Sequence, residues 1–349
     1  MNFFKLFFSF ALIATLVLVV GPADTFGGKR PKPKFQIKFA TLAPEGSTWM
    51  KTMHAIDDEV RLRTENRLGF KFYPGGVQGD EKDVLRKIRN GQLHGGGFTG
   101  FGLGSIVPDV RVPELPFMYE SLDELDYVRE KTDDLFNQMF EDKGYLNLGW
   151  ADVGFVYIFS KNPIRTPDDL QAANMWVWAG DPLAELFFKA FGISPIPLAA
   201  PDVLTSLQTG IIDAVYNSTL GCVALQWFTR VDYLTDVPVS HGLGAALVSK
   251  KALKKVAPAD IRVLLEVSWP LLRQLTEKTR VQNQEAKTEM QQEGMEIISV
   301  DSSIRASFFE TGREAWSDGV GKLYTQEMLD QVENILEEYR TGSAATGSQ

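Results

Sequence analysis

One stretch decides the fold: NMWVWAGDPLAELFFKAFGISPIPLAAPDVLTSLQTGIIDAVYNS, residues 174–218. It predicts a strand, a helix, a strand, a helix and a strand, because short strand-forming runs alternate with longer segments of helical periodicity. Both helices close on a glycine, Gly192 and Gly210, the residue that most easily takes the left-handed conformation after a helix. This order is typical of an α/β unit with a mainly parallel sheet.

Two tryptophans stand one residue apart on the first of these strands. Trp176 and Trp178 face the same side, because successive side chains of a strand point to opposite faces. They form one continuous aromatic surface, which belongs either to the core between two lobes or to the wall of a binding site. Both hypotheses stay open at this point.

An earlier part of the chain has the same rhythm. FQIKFATL predicts a first strand, and the helix after it is capped by Ser47 or Thr48. LGFKFYPGG predicts a second strand, and GDEKDVLRKIRNGQ predicts a second helix that Gly91 closes. We therefore predict an α/β fold of two similar lobes with a ligand cleft between them, since ligands favour domain interfaces and the carboxyl ends of parallel strands.

The predicted boundaries follow from this repetition. Lobe 1 covers residues 35–153, lobe 2 covers residues 154–240, and residues 241–340 form a return segment shared by both lobes. The aromatic stretch 150–159 is expected to cross between the lobes. Within the return segment, APADIRVLLEVSWPLLRQLTEKTRVQNQEAKTEMQQEG predicts one unusually long helix with a kink at Pro270, and two amphipathic helices end the fold.

The two ends of the chain differ from its middle. Residues 1–23 carry one lysine, a long apolar run and a small-residue cleavage site, which predicts a secretory signal peptide, with an uncleaved membrane anchor as the alternative. Residues 24–34 predict a disordered linker and residues 341–349 a disordered tail. With Cys222 as the only cysteine, no internal disulfide can form, and export without disulfides favours the bacterial periplasm.

Composition and motifs exclude several classes of function. A net charge of −9 argues against a nucleic-acid partner. Gly95, Gly97 and Gly100 match the spacing of a dinucleotide fingerprint, but prolines and no good helix follow, so we expect no cofactor. The three histidines lie far apart in the sequence, which argues against a metal site. No nucleophile elbow, HExxH motif or Cys–His pairing is present, so we predict no catalytic residues and rank a periplasmic hydrolase low.

Three motifs in order carry a resemblance to a known family. They are FATLAPEGSTWM, KIRNGQLHGGGFTGFGLGSIVPDVRVPELPFMY and NPIRTPDDLQAANMWVWAGDPLAELFFKAFGISPIPLAAPDVLTSLQTGIIDAVYNS. Over residues 35–340 the chain resembles the DctP-type substrate-binding proteins of tripartite ATP-independent periplasmic (TRAP) transporters. The resemblance implies a two-lobed periplasmic-binding-protein fold of type II character, joined by crossing strands and a long helix. It also implies that the lobes close on a small ligand, usually an organic acid, and deliver it to a membrane permease.

The chain departs from the family at the ligand clamp. In the family, the strand after the DDL turn usually carries an arginine that binds the ligand carboxylate, and Trp176 holds the matching position. A second basic residue of many members is also missing, where Phe155 and Val156 stand. An anion closed into such a cleft would lose its water without gaining a partner. We therefore hypothesise a hydrophobic or weakly polar ligand.

Nine residues are our candidates for the ligand site. Most are aromatic, the family directs the loop of Trp49 at the cleft, and Asn217 matches a frequent polar ligand contact. A cationic ligand on the tryptophans would need an acidic neighbour such as Glu45. The nine candidates are Trp49, Phe98, Thr99, Phe155, Tyr157, Trp176, Trp178, Tyr216 and Asn217.

Two alternative functions stay open. One is a carboxylate-binding protein of the same transporter class whose clamp is relocated. The other is a protein of the same fold that hands a hydrophobic cargo to a partner other than a permease, such as a helical-repeat periplasmic protein. Neighbouring genes for a small and a large permease subunit would favour transport.

Overall fold

Strands and helices alternate along most of the chain. The computed structural model describes residues 31–346, with side chains through residue 342. The strands are β1 (Phe35–Ala40), β2 (Leu68–Tyr73), β3 (Gly95–Thr99), β4 (Tyr145–Ser160), β5 (Trp176–Trp178), β6 (Ile196–Leu198), β7 (Ala214–Ser218), β8 (Tyr233–Ser249) and β9 (Glu296–Ile298). The α-helices are α1 (Thr48–Arg63), α2 (Glu81–Arg89), α3 (Gly100–Gly104), α4 (Leu122–Asp142), α5 (Pro167–Ala172), α6 (Pro182–Ala190), α7 (Val203–Thr209), α8 (Thr219–Ala224), α9 (Lys250–Leu253), α10 (Pro258–Gln292), α11 (Ser302–Gly319) and α12 (Gln326–Thr346).

The main sheet is mixed. Its order is β2-β1-β3-β8-β4-β7, and β9 pairs with β8. The pairs of β1 with β2 and with β3 are parallel, as the strand-helix rhythm predicts, whereas β8 pairs antiparallel with both β3 and β4. A second, parallel sheet joins β5 to β6, and a bridge between Met175 and Ala214 links it to β7. The predicted α/β fold is confirmed, and its connection between the lobes is antiparallel.

Two very long strands cross between the lobes. β4 is a single strand of 16 residues that contains the aromatic stretch 150–159, and β8 has 17 residues. Their register shifts between Asp152 and Gly154, and Gly154 has a φ of 114°. A Cβ at Gly154 would collide with the Asn283 side chain of α10, so glycine allows the long helix to approach the strand there.

Four apolar clusters divide along the predicted lobes. Two are built mainly from lobe 1 and parts of the return segment, and two mainly from lobe 2 and other parts of the return segment. Helix α10 packs against α1 and β4, and Ser268 on it donates a hydrogen bond of 2.7 Å to Leu148 O of β4. The return segment thus serves both lobes, while the lobe boundaries stay a prediction.

The ends of the chain were predicted as a signal peptide, a linker and a disordered tail. The signal peptide (1–23) and most of the linker (24–34) lie outside the described residues. Helix α12 continues through Thr346, well into the segment 341–349 that the sequence assigned to a tail. Within residues 31–346, no helix combines the length and apolar character that a bilayer-spanning segment needs.

A buried ion cluster lies where the two crossing strands meet α4 and α10. Asp152 on β4 accepts hydrogen bonds from Arg129 (2.6 Å) and Arg280 (2.7 Å). His241 is fully buried in β8, and its Nε2 lies 3.8 Å from Asp152 Oδ2. Burial, opposed by Asp152 and assisted by the two arginines, lowers the pKa of His241 from 6.5 to about 4. His241 is therefore neutral at neutral pH.

This low pKa makes the stability of the protein sensitive to acid. The unfolded chain binds a proton at His241 below about pH 6.5, whereas the folded protein does so only near pH 4, so stability is lost as the pH falls through this window. Between pH 7 and pH 5, we expect wild type to lose about 2 kcal/mol more unfolding free energy than His241→Leu. Urea unfolding at both pH values measures it. The control, His54→Asn, removes an exposed histidine and should behave like wild type; equal losses in wild type and His241→Leu would contradict the prediction.

Candidate functional site

A cavity of about 630 Å³ lies between the lobes. Its lining comes from the carboxyl ends of β1, β3, β5 and β7, from the middle of β4 and β8, from α6 and α8, and from a stripe on α10. Carboxyl ends of strands gather there because the strands of each lobe run toward the same edge. The stripe is formed by Leu275, Thr279 and Gln282, which share one helix face at spacings of four and three residues.

The structure places seven of the nine predicted site residues on this cavity. They are Trp49, Phe98, Thr99, Trp176, Trp178, Tyr216 and Asn217. Glu45, the acidic partner considered for a cationic ligand, instead pairs with His54 on the exposed surface at 2.8 Å. Whether these seven side chains contact a ligand stays a prediction.

The other two, Phe155 and Tyr157, do not line the cavity. The residue between them on β4, Val156, does so, and alternation along the strand turns its neighbours to the opposite face. The ring of Phe155 packs edge-on against His241 at 5.2 Å, and Lys287 Nζ lies 5.2 Å from the ring centre of Tyr157. We therefore leave both residues out of the proposed ligand site.

Trp176 belongs to the core and to the cavity at once. Only 1% of it is exposed, and its ring stacks on Tyr216 at 4.8 Å and meets Trp227 edge-on at 5.2 Å. Its indole N–H donates to Leu198 O at 3.0 Å, so this donor is already used within lobe 2. Trp176 can therefore offer a ligand an apolar ring edge rather than a hydrogen bond.

Trp178, by contrast, links the two lobes. Its indole N–H donates to Asp80 Oδ2 in lobe 1 at 2.7 Å, and its ring lies 4.8 Å from that of Phe101. Asp80 also accepts from the backbone N–H of Ala200 at 3.2 Å, and Lys82 Nζ donates to Gly180 O at 2.7 Å. These contacts hold the lobes together, and three of the residues that make them, Trp178, Phe101 and Ala200, line the cavity.

Several lining residues were missed by the sequence reasoning. Phe101, Phe187, Phe188 and Trp227 all line the cavity. The two phenylalanines of α6 follow its capping residue Asp181 by six and seven residues, nearly two helical turns, and both line the cavity. A helix that starts at the carboxyl end of a cleft strand was the available signal.

Arg111 is the most consequential residue that was missed. It comes from a 3₁₀ helix, Pro108–Glu114, and its side chain is only 11% exposed. Its guanidinium binds both oxygens of Asp181 in lobe 2, at 2.9 and 3.2 Å, and its Nε lies 2.7 Å from Glu114 Oε2. The usual clamp position is occupied by tryptophan, yet an arginine reaches the cavity from another element.

The charge of this arginine is already neutralised. Burial alone would lower the pKa of Arg111, but Asp181 and Glu114 raise it above its ordinary value, so it stays charged. Burial raises the pKa of Glu114, with Arg111 acting in the opposite direction. Among the described residues lining the cavity, the only other cation is Lys51, which is exposed. The interior therefore offers a ligand no unpaired positive charge.

A second buried carboxyl group, Glu81, supports the strand end beside the cavity. It accepts from Thr99 N (2.8 Å), from Thr99 Oγ1 (3.1 Å) and from Gly102 N (2.7 Å). Burial raises its pKa to about 8 against the effect of these hydrogen bonds, so much of it is protonated at neutral pH. The hydroxyl of Thr99, one of the nine candidate site residues, is thus already hydrogen-bonded to Glu81.

Comparison with known proteins settles the family. Residues 39–322 match the model of the DctP family, described as bacterial extracellular solute-binding protein, family 7. The chain belongs to this family. The resemblance to TRAP substrate-binding proteins is thereby confirmed, and the family is one of binding proteins, not enzymes.

Curated relatives of this DctP-family member are distant. It is 26% identical over 301 residues to the C4-dicarboxylate-binding periplasmic protein DctP of Rhodobacter capsulatus, covering 85% of this chain and 87% of that one. It is 23% identical over 306 residues to the ectoine/5-hydroxyectoine-binding periplasmic protein UehA of Ruegeria pomeroyi, covering 83% and 85%. A match to a solute-binding protein of Chromohalobacter salexigens, 29% identical over 170 residues, spans about half of each chain (48% and 50%).

Solved structures share the fold. A TRAP periplasmic solute-binding protein of Ralstonia eutropha H16, with bound (S)-2-acetolactate, superposes with a TM-score of 0.81 at 20% identity, covering 87% of this chain and 99% of that one. One from Xanthobacter autotrophicus Py2, with bound β-D-galacturonate, gives 0.78 at 20% identity, covering 86% and 99%. At this identity the similarity confirms the two-lobed fold of the DctP-family chain.

Proposed function

We propose that this protein is the periplasmic binding component of a TRAP transporter that closes its lobes on a small, mainly hydrophobic ligand and passes it to a membrane permease. The pairing of Arg111 with Glu114 and Asp181 is the observation that supports a hydrophobic ligand over an organic acid. A ligand carboxylate would have to displace one of these buried carboxylates to gain a guanidinium partner.

Further residues of the cavity support an uncharged ligand. Four carboxyl side chains line it, those of Glu81, Glu114, Asp152 and Asp181, against the two cations Arg111 and Lys51. Asp152 is held by two arginines of the ion cluster at the crossing strands. Aromatic and aliphatic side chains make up most of the remaining lining, which suits an aliphatic or aromatic body.

A second candidate is an organic acid held by Arg111 as a relocated clamp. Arg111 lines the cavity, and the solved structures that share the fold carry acetolactate and galacturonate. This candidate requires Asp181 or Glu114 to leave the guanidinium when the ligand enters. It predicts that Asp181→Asn strengthens binding of an acid, because one competing carboxylate is removed.

Identification of the bound ligand separates the two candidates. Native mass spectrometry and solvent extraction of the purified full-length protein should show a co-purifying hydrophobic molecule, and calorimetric titration should show that it binds at least about tenfold tighter than succinate or galacturonate. The control is Asp181→Asn, in which the preference for the hydrophobic molecule should persist. Tight binding of either acid, with no response to hydrophobic molecules, would overturn the proposal.

A further inference from the structure

Besides Nε of Arg111, which is held in an ion pair 2.7 Å from Glu114 Oε2, two polar atoms on the cavity have no hydrogen-bond partner among the described residues. They are the indole N–H of Trp49 and the side-chain carbonyl oxygen of Gln282, and both are buried. Unpaired polar atoms are rare in protein interiors because each has lost water without replacing it. Tyr119, Trp150 and His241 also bury polar atoms without a hydrogen-bond partner, but none of the three lines the cavity. Trp49 and Gln282 are therefore the pair that a ligand could satisfy.

The two residues stand on neighbouring helices. Trp49 lies in the first turn of α1, Gln282 lies on the cavity stripe of α10, and α1 packs against α10. Trp49 packs on the same apolar cluster as Leu275, which belongs to the stripe of Gln282. Donor and acceptor thus stand on two helices that pack against each other and that both line the cavity.

The position of the Trp49 ring is fixed by its neighbour on β3. A Cβ at Gly97 would collide with Cζ2 of Trp49 and lie 3.1 Å from its Cε2, the atom bonded to the indole nitrogen. The ring edge that carries the N–H therefore lies directly on the glycine backbone, where no side chain can come between. A fixed donor of this kind selects ligands by geometry, because it cannot turn toward a different partner.

We propose that Trp49 and Gln282 bind a neutral group of the ligand that both accepts and donates a hydrogen bond. Such a group is a carboxamide or a hydroxyl attached to the apolar body; it accepts from the Trp49 N–H and donates to the Gln282 oxygen. This inference deepens the proposed function and rests on it. A carboxylate can accept from Trp49 but has no hydrogen for the Gln282 oxygen, and it meets no unpaired cation. An ammonium group can donate to Gln282 but leaves the Trp49 N–H unpaired.

A matched set of probes tests the inference by calorimetric titration of the full-length protein. The set is 3-phenylpropanamide, 3-phenylpropanoate, 3-phenylpropylammonium and propylbenzene, which share one body and differ in the head group. We expect the amide to bind at least about tenfold tighter than each of the others, since only it satisfies both atoms. Tightest binding by the carboxylate or the ammonium probe would overturn the inference.

Variants assign the effect to the two residues. Trp49→Phe and Gln282→Leu should each weaken binding of 3-phenylpropanamide by about five- to a hundredfold, while propylbenzene binding changes less than about threefold. The controls are Trp269→Phe and Gln284→Leu, exposed positions of α10, which should bind both probes like wild type. Unchanged amide binding in both test variants would also overturn the inference.

The probes separate a failure of this inference from a failure of the proposed function. If propylbenzene binds and 3-phenylpropanamide binds no tighter, the proposed hydrophobic ligand is supported and the proposed role of Trp49 and Gln282 is wrong. If no phenyl probe binds and galacturonate or succinate does, both are wrong.

Discussion

Replacing Arg111 by methionine is expected to lower the free energy of unfolding by about 3–5 kcal/mol, the usual cost of removing one member of a buried ion pair. The variant would leave Glu114 and Asp181 buried without a cation, at side-chain exposures of 8% and 5%. Because Arg111 belongs to lobe 1 and Asp181 to lobe 2, the variant should also favour lobe opening and weaken ligand binding. Urea unfolding at pH 7 and calorimetric titration measure the two effects.

A matched variant and a charge-balanced variant control this experiment. Arg86→Met removes an arginine from the exposed pair with Asp83, whose side chains are 68% and 43% exposed, and should cost less than about 1 kcal/mol. Adding Glu114→Gln and Asp181→Asn to Arg111→Met should recover part of the lost stability, because no uncompensated charge stays buried. If Arg111→Met costs no more than Arg86→Met, the pair contributes little and a relocated carboxylate clamp gains support.

The α/β lobes were predictable from the sequence because their signals are local. A strand and the helix after it each carry their own periodicity, and capping residues mark where one ends. Thr166 shows this well: with Asp169 it forms a capping box at the start of α5, within four residues of chain. The seven predicted site residues that reach the cavity also follow from local order, since most lie at the carboxyl ends of predicted strands.

The parts that escaped prediction depend on contacts between distant residues. The ion pair between Arg111 and Asp181 joins positions 70 residues apart, and nothing near either residue indicates the other. The face on which Phe155 lies depends on the irregular register of β4 near Gly154, and a shift of one residue turns every side chain to the other side. An arginine in a 3₁₀ segment and a bulge in a long strand leave no periodic signal.

The sequence is compatible with Trp176 either in the core or in the wall of the binding site. In the structure Trp176 is buried in the core of lobe 2 and also lines the cavity. Replacing Trp176 by arginine is expected to destabilise the protein by more than about 3 kcal/mol, because it removes a buried aromatic ring and buries a charge. The 1% exposure of Trp176 and its stack on Tyr216 at 4.8 Å leave a guanidinium no route to water except the cavity. Thermal and urea unfolding measure the loss.

Two further tryptophan variants serve as controls for Trp176→Arg. Trp269→Arg, at a position 37% exposed on α10, should change stability by less than about 0.5 kcal/mol. Trp178→Phe keeps an aromatic ring but removes the hydrogen bond to Asp80 and part of the ring that packs near Phe101. It should therefore cost about 1–3 kcal/mol in stability and weaken ligand binding, because a contact between the lobes is lost.

The outcome for Trp176→Arg decides between packing and ligand selection as the reason for a tryptophan at the family's clamp position. A variant that unfolds more easily and binds no acid shows that the ring is needed for the core of lobe 2, and that its contribution to the cavity follows from that packing. A variant that stays within about 1 kcal/mol of wild type and gains affinity for galacturonate would contradict our prediction. In that case the arginine would have reached the cavity, and the aromatic residue would be the determinant that excludes organic acids.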